Sequence, residues 1–137
     1  MHRSVEVAVG DIKIIVLDSI SQLQPDDAGH IIVCGSHGGT SAGRYALSVP
    51  IRAVFYNDAG IGKDRAGVLG IEELGRRGII SGAVGHNSAK IGLGMDSWNS
   101  GTLTFLNQPA RDAELTIAQS LRPTLLAFIQ RLPLEQN

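Results

Sequence analysis

Three loops in this chain carry residues able to move protons, and each directly follows a strand-like apolar run. Gly35-Ser-His-Gly-Gly-Thr-Ser41 closes the run at 30–34, Asn57-Asp-Ala-Gly-Ile-Gly-Lys-Asp64 closes that at 51–56, and Gly85-His-Asn-Ser-Ala-Lys90 closes that at 79–84. An imidazole held at a strand end is suited to general acid or base work, and backbone N–H groups beside it can hold a developing oxyanion. The expected roles follow from residue type. His37 is the main acid/base, Asp58 orients a histidine or serves as a partner base, His86 is a second acid/base, and Lys63 stabilises negative charge. Substrate would be held by Gly35, Ser36, Gly38, Gly39, Thr40, Ser41, Asn57, Asn87, Ser88 and Lys90.

Glycines around a central polar residue after a strand give Gly35-Ser-His-Gly-Gly39 the form of a G-x-S-x-G nucleophile elbow with His37 in the serine's place. A formal G-x-S-x-G lies at Gly39-Thr-Ser-Ala-Gly43, and Ser41, Asp58 and His86 run in the nucleophile, acid, base order of α/β-hydrolases. The chain is short for that fold, and Thr40 or Ser41 is expected to cap the following helix. The triplet Ser36-His37-Gly38 also resembles the histidine strand end of caspase-type cysteine proteases, in which the next strand delivers the cysteine. Here the next strand delivers Asn57-Asp58, so protease activity is not carried over.

No cofactor is implied. Gly62-Lys63 is not a Walker P-loop, since Asn57 and Asp64 stand where that motif needs glycine and Ser or Thr. No H-E-x-x-H or H-x-H spacing is present, so no metal site is assigned. The lone cysteine, Cys34, rules out an intramolecular disulfide and is expected to be a buried small apolar residue.

The formal charge of −1 and an aromatic content of 4% leave neither a basic footprint nor stacking platforms, which excludes nucleic acid as an expected partner. No apolar run approaches the roughly 20 residues that span a bilayer. The start Met-His-Arg-Ser-Val-Glu-Val lacks a signal-peptide apolar region, so a cytoplasmic location is expected.

The elements that must position the three loops follow from periodicity. At 137 residues the chain fits one domain, 1–137. Residues 5–9 and 12–17 flank Gly10-Asp11 as a hairpin with a type II′ turn, giving an antiparallel edge strand. Pro25, Asp26, Asp27 and Gly29 mark a loop. Helices are expected at 42–47, at 63–77 with a Gly78 stop, and from Asn107 as cap onward. Pro123 should kink or split the last one. The stretch 93–100, with Met95, Asp96 and Trp98, is expected to be a lid, a packed connection or an oligomer contact. The expected architecture is a three-layer α/β sandwich with a mostly parallel sheet, Rossmann-like or flavodoxin-like.

The expected function is a small enzyme acting on a polar, anionic small molecule by acid–base or hydrolytic chemistry. The alternatives are a non-catalytic anion-binding or regulatory domain and an assembly subunit. The apolar surplus at Leu125, Leu126, Phe128, Ile129 and Leu132 admits a homo-oligomer.

Overall fold

A computed structural model describes residues 1–132. They build one six-stranded sheet whose strands lie side by side in chain order: β1 (Arg3–Val9), β2 (Ile12–Leu17), β3 (Ile31–His37), β4 (Ala53–Asn57), β5 (Ile80–Val84) and β6 (Leu103–Leu106). The sheet is mixed. Strands β2 to β5 are parallel, whereas β1 on β2 and β6 on β5 pair antiparallel at the two edges. The β1–β2 hairpin matches expectation, with a positive φ of 58° at Gly10. The second antiparallel edge was not expected. Likeness to Rossmann-like and flavodoxin-like sheets is thus limited to the α/β layering, because a sequential order lacks the reversal that those folds share.

The central strands are apolar at nearly every position because both their faces are covered. Along β2 to β4 the side chains alternate. Ile15, Leu17, Ile32, Cys34, Val54 and Tyr56 face one core with α1 (Thr40–Leu47) and α2 (Leu69–Arg76). Ile14, Val16, Ile31, Val33 and Phe55 face the other core, which receives Trp98 of α3 (Gly94–Ser100) and Leu121, Leu125, Phe128 and Ile129 of α5 (Leu121–Arg131). A short α4 (Gln108–Asp112) links β6 to α5. The connections after β3 and β4 therefore run over one face and the one after β5 over the other.

Four element boundaries differ from the periodic reading. Gly39, not Thr40 or Ser41, caps α1, so those two residues form its first turn. The helix expected from residue 63 begins only at Leu69, because 63–65 form a separate 3-10 turn with Asp64 and Arg65 at positive φ and Val68 outside helical geometry. A Cβ at Gly67 would run into the Asp58 carbonyl, so this stretch is folded back on the end of β4. Pro123 falls in the first turn of α5, where its missing N–H has no intrahelical partner to lose, so the helix neither kinks nor splits. Ile117 lies before that helix in a loop and is exposed. Residues 94–100 form a packed helix with a buried Trp98 and are not a lid.

Asn107, the expected cap of α4, does more than cap. Its Oδ1 accepts from Ala110 N at 3.1 Å and Ser81 N at 3.2 Å, and its Nδ2 donates to Ile79 O at 2.8 Å and Ile71 O at 3.1 Å. All four valences of one buried amide thus join α2, β5 and α4. Asn107→Ala removes a cap and strands buried backbone groups, and should lower stability by roughly 2–4 kcal/mol in urea denaturation. Asn107→Asp keeps the cap but sets a carboxylate against two carbonyls, and is expected to be no better tolerated.

Candidate functional site

Parallel pairing brings the ends of β3, β4 and β5 to one edge, with His37 in register with Asn57 and Asn57 with Val84. The three loops meet there as expected. Within that edge the residues divide into two groups on either side of a turn at residues 59–61.

The first group is built on Asp58, buried at the end of β4 with 5% of its surface exposed. Its Oδ1 accepts from Gly60 N at 2.7 Å and His86 N at 3.0 Å, and its Oδ2 accepts from Thr104 Oγ1 at 2.7 Å. The His86 ring turns its Nδ1 to the same Oδ1 at 3.4 Å and is otherwise half exposed. Burial by itself would push the Asp58 carboxyl up. The hydrogen bonds from Thr104, Gly60 and His86, with the charge on the His86 ring, outweigh it and hold the group below the usual carboxylate range. Of the two histidines offered as partners of Asp58, the ring that lies beside it is that of His86, and no contact joins the carboxylate to the His37 ring.

The second group is built on His37, exposed at the end of β3. Gly39 N donates to its Nδ1 at 3.2 Å. A Cβ at Gly39 would stand 2.7 Å from the ring's Cε1, so the imidazole sits directly against the Gly39 backbone. His37 lines two clefts. One, of about 420 Å³, is walled by Asp18, Ser19, Ser36, Ser41, Tyr45 and Ile91 among others; the second, of about 220 Å³, is walled by Ala59, Ile61, Gly62, Ala66 and Gly67. No side chain caps α1, so its first-turn N–H groups remain open to a polar oxygen in the larger cleft.

The turn between the groups is strained. Ala59 and Ile61 hold φ of 50° and 67°, and a β-branched residue rarely enters that region. Hydrogen bonds at 2.6 Å from Ile61 N to Asp58 O and from Gly67 N to Ile61 O keep it there. Gly60, at its apex, approaches the His86 ring so closely that a Cβ would lie 3.4 Å from Cε1.

The remaining candidates fall into three kinds. Ser36 and Ser41 line the larger cleft, although Ser36 Oγ also accepts from Ile20 N at 3.0 Å. Asn57 is fully buried, donating to Ala89 O at 2.9 Å and accepting from Ala59 N at 2.8 Å, so it ties two loops together and faces no ligand. Ser88 is similarly spent between Gly85 O and Thr102 N. Gly35 also lines the larger cleft, where a Cβ would lie 2.6 Å from Gly92 C, whereas Gly38 is buried and lines neither cleft. Thr40, Asn87, Lys63 and Lys90 are exposed, and none of them lines either cleft at His37. The charge-stabilising role expected of Lys63 therefore has no geometric support.

Sequence reasoning missed Thr104, which holds Asp58, and Asp18, whose Oδ2 accepts from His2 N at 2.7 Å and Oδ1 from Gly94 N at 3.0 Å on the wall of the larger cleft. Asp18 follows a strand as directly as Asp58 does, and that was its signal. Burial pushes the Cys34 thiol up to about 12, which makes it inert. Among the described residues no group of three or more His, Cys, Asp or Glu side chains is placed to hold a metal, and no helix is long and apolar enough to cross a membrane. No protein-family model, curated protein or solved structure matches the chain.

A lowered carboxyl sets the sign of one pH effect. Asp58 contributes stability above the carboxylate range of about 4, and that contribution is lost as pH falls through its own lower value. In urea denaturation, wild type should therefore lose more stability than Asp58→Asn between pH about 7 and about 3. Parallel losses would show that the carboxylate is no better held in the folded chain than in the unfolded one.

Proposed function

We propose that this chain is an acid–base enzyme acting on a polar, carbonyl-bearing small molecule. The observation that carries the reading is that two imidazoles at one edge of the sheet, at the ends of β3 and β5, face opposite kinds of partner. His37 Nδ1 accepts a backbone N–H, so the neutral ring keeps its proton on Nε2 and presents a donor. His86 Nδ1 lies 3.4 Å from the Asp58 carboxylate, which only accepts, a placement that favours the proton on Nδ1 and a lone pair on Nε2. His37 is thus suited to polarise a carbonyl oxygen, and His86 to remove a proton.

The two roles make a complete step. His86 Nε2 takes a proton from the carbon next to the carbonyl, or from water, and Asp58 balances the imidazolium that results. The electron pair left behind, or the hydroxide, places negative charge on the carbonyl oxygen. There it meets His37 Nε2–H and the open N–H groups of α1. Returning the proton to a different carbon gives isomerisation, expelling a leaving group gives elimination, and addition of the hydroxide followed by loss of an alcohol or amine gives hydrolysis. Of these roles, that of His37 is narrower than the general acid/base expected from its position, because its hydrogen bond to Gly39 selects one tautomer.

One observation favours a second reading, a domain that binds a small ligand without transforming it: His86 lines neither of the two clefts that hold His37. The experiment that separates them is a screen of small keto and hydroxy acids, esters and amides against wild type, His37→Gln, His86→Gln and Asp58→Asn, each first shown to melt as wild type does. Loss of either imidazole should lower kcat by about 10²–10⁴-fold, the range for a positioned proton-transfer group. Asp58→Asn should behave like His86→Gln. Wild-type turnover by both histidine variants would remove the acid–base reading.

A further inference from the structure

Eight large apolar side chains are exposed on the described surface, and three of them, Met1, Tyr45 and Ile91, line the cleft of about 420 Å³ that holds His37. Single exposed apolar residues carry no message, but their convergence on one concave site does. That cleft does not end at Tyr45. Ser41 and Tyr45 are shared with a shallow depression on the exposed face of α1, bordered by Arg44 and Ser48. Residues 41, 44, 45 and 48 lie at helical spacing on one exposed face, so the depression runs for about 10 Å.

The polarity changes along this path. On one side stands His37 with the first turn of α1, in the middle Tyr45 and Ile91, and beyond Tyr45, on the side of α1 away from His37, the exposed Arg44. Arg44 makes no ion pair among the described residues. A guanidinium without a carboxylate, placed at the end of a partly apolar groove, is a receptor for a planar or tetrahedral anion.

We propose that the cleft and the depression joined to it bind an amphipathic anion, with its carboxylate or phosphate on Arg44, its apolar body against Tyr45 and Ile91, and its carbonyl end toward His37. The direction of the carbonyl rests on the acid–base reading above, whereas the binding does not. The proposal also accounts for an anionic ligand without Lys63 or Lys90. It names a longer, partly hydrophobic molecule where composition and loop residues pointed only to a small polar one.

The test is titration of ¹⁵N-labelled protein with octanoate, octyl phosphate and 1-octanol, followed by amide shifts. Saturable shifts are expected at Ser41, Tyr45 and Ile91, with an anion binding more tightly than the alcohol, and the tighter of the two anions identifies the headgroup. Arg44→Gln should weaken anion binding by about tenfold, toward that of octanol, and Arg44→Lys should restore part of it. Equal binding of the three compounds, shifts confined to other surfaces, or wild-type affinity in Arg44→Gln would each overturn the proposal. His86→Gln lies outside the groove and should bind the anion as wild type does. Arg44-dependent binding with no turnover of any compound would therefore leave the groove standing and remove the acid–base reading. Turnover that depends on His37 and His86 without Arg44-dependent binding would do the reverse.

Discussion

A carboxylate withdrawn from water keeps its charge only where N–H and O–H groups replace the solvent, and one edge of this sheet is arranged around that demand at Asp58. The donors come from three places: Gly60 in the turn after β4, His86 in the loop after β5, and Thr104 on β6. Each is fixed by a different part of the chain, so a single side chain binds the two loops and the edge strand into one unit. The left-handed geometry of Ala59 and Ile61 belongs to the same arrangement, since the chain must turn sharply to bring Gly60 N onto the carboxylate from which it departs. Such strain costs on the order of 1–3 kcal/mol per residue and persists only where the surroundings impose it.

The division of the helices between the two faces has a topological origin as well. In a sheet laid down in sequence, each crossover of the same hand falls on the same face, which is why α1 and α2 share a core. The antiparallel β6 departs from that pattern: it starts at the edge where β5 ends and a tight turn could join the two, yet the chain takes a long excursion over the opposite face. Residues 85–102 make that journey under β2 and β3, where Gly94 N reaches Asp18 and Gly92 N reaches Gly35 O at 2.7 Å. The result is a belt across the carboxyl edge. It places Ile91 opposite Tyr45 and so supplies the second wall of the His37 cleft.

Much of this was legible in the residues. Unbroken β-branched runs announced strands covered on both faces, small residues after them announced the loops, and Asn107-Gln-Pro109 announced a capped helix. His37, Asp58 and His86 were nominated because strand ends in α/β sheets meet at one edge, and they do. What was not legible depends on close approach between distant segments. The stripe at Val68, Ile71 and Leu74 looks helical from residue 63, yet Gly67 packs on the Asp58 carbonyl and unwinds the first turns. Thr104 is one exposed threonine on a short strand until β6 is seen to pair with β5. Asn57 resembles a ligand-facing amide until both its ends are found spent on backbone. The ring nitrogens of the two histidines meet partners 2 and 28 residues away from His37 and His86 respectively, and only the first lies within reach of local pattern.

Thr104 lies 46 residues beyond Asp58, on the last strand to be made. A chain leaving the ribosome has all of β1 to β5, both crossover helices and every histidine before β6 exists. At that stage the carboxylate lacks its hydroxyl donor, and the open side of β5 exposes unpaired backbone. Sheet closure and completion of the constellation are therefore one event in the growing chain. A ribosome-bound nascent chain that stops short of residue 102 carries both histidines and the carboxylate in its sequence, but neither the hydroxyl nor the edge strand that completes their setting.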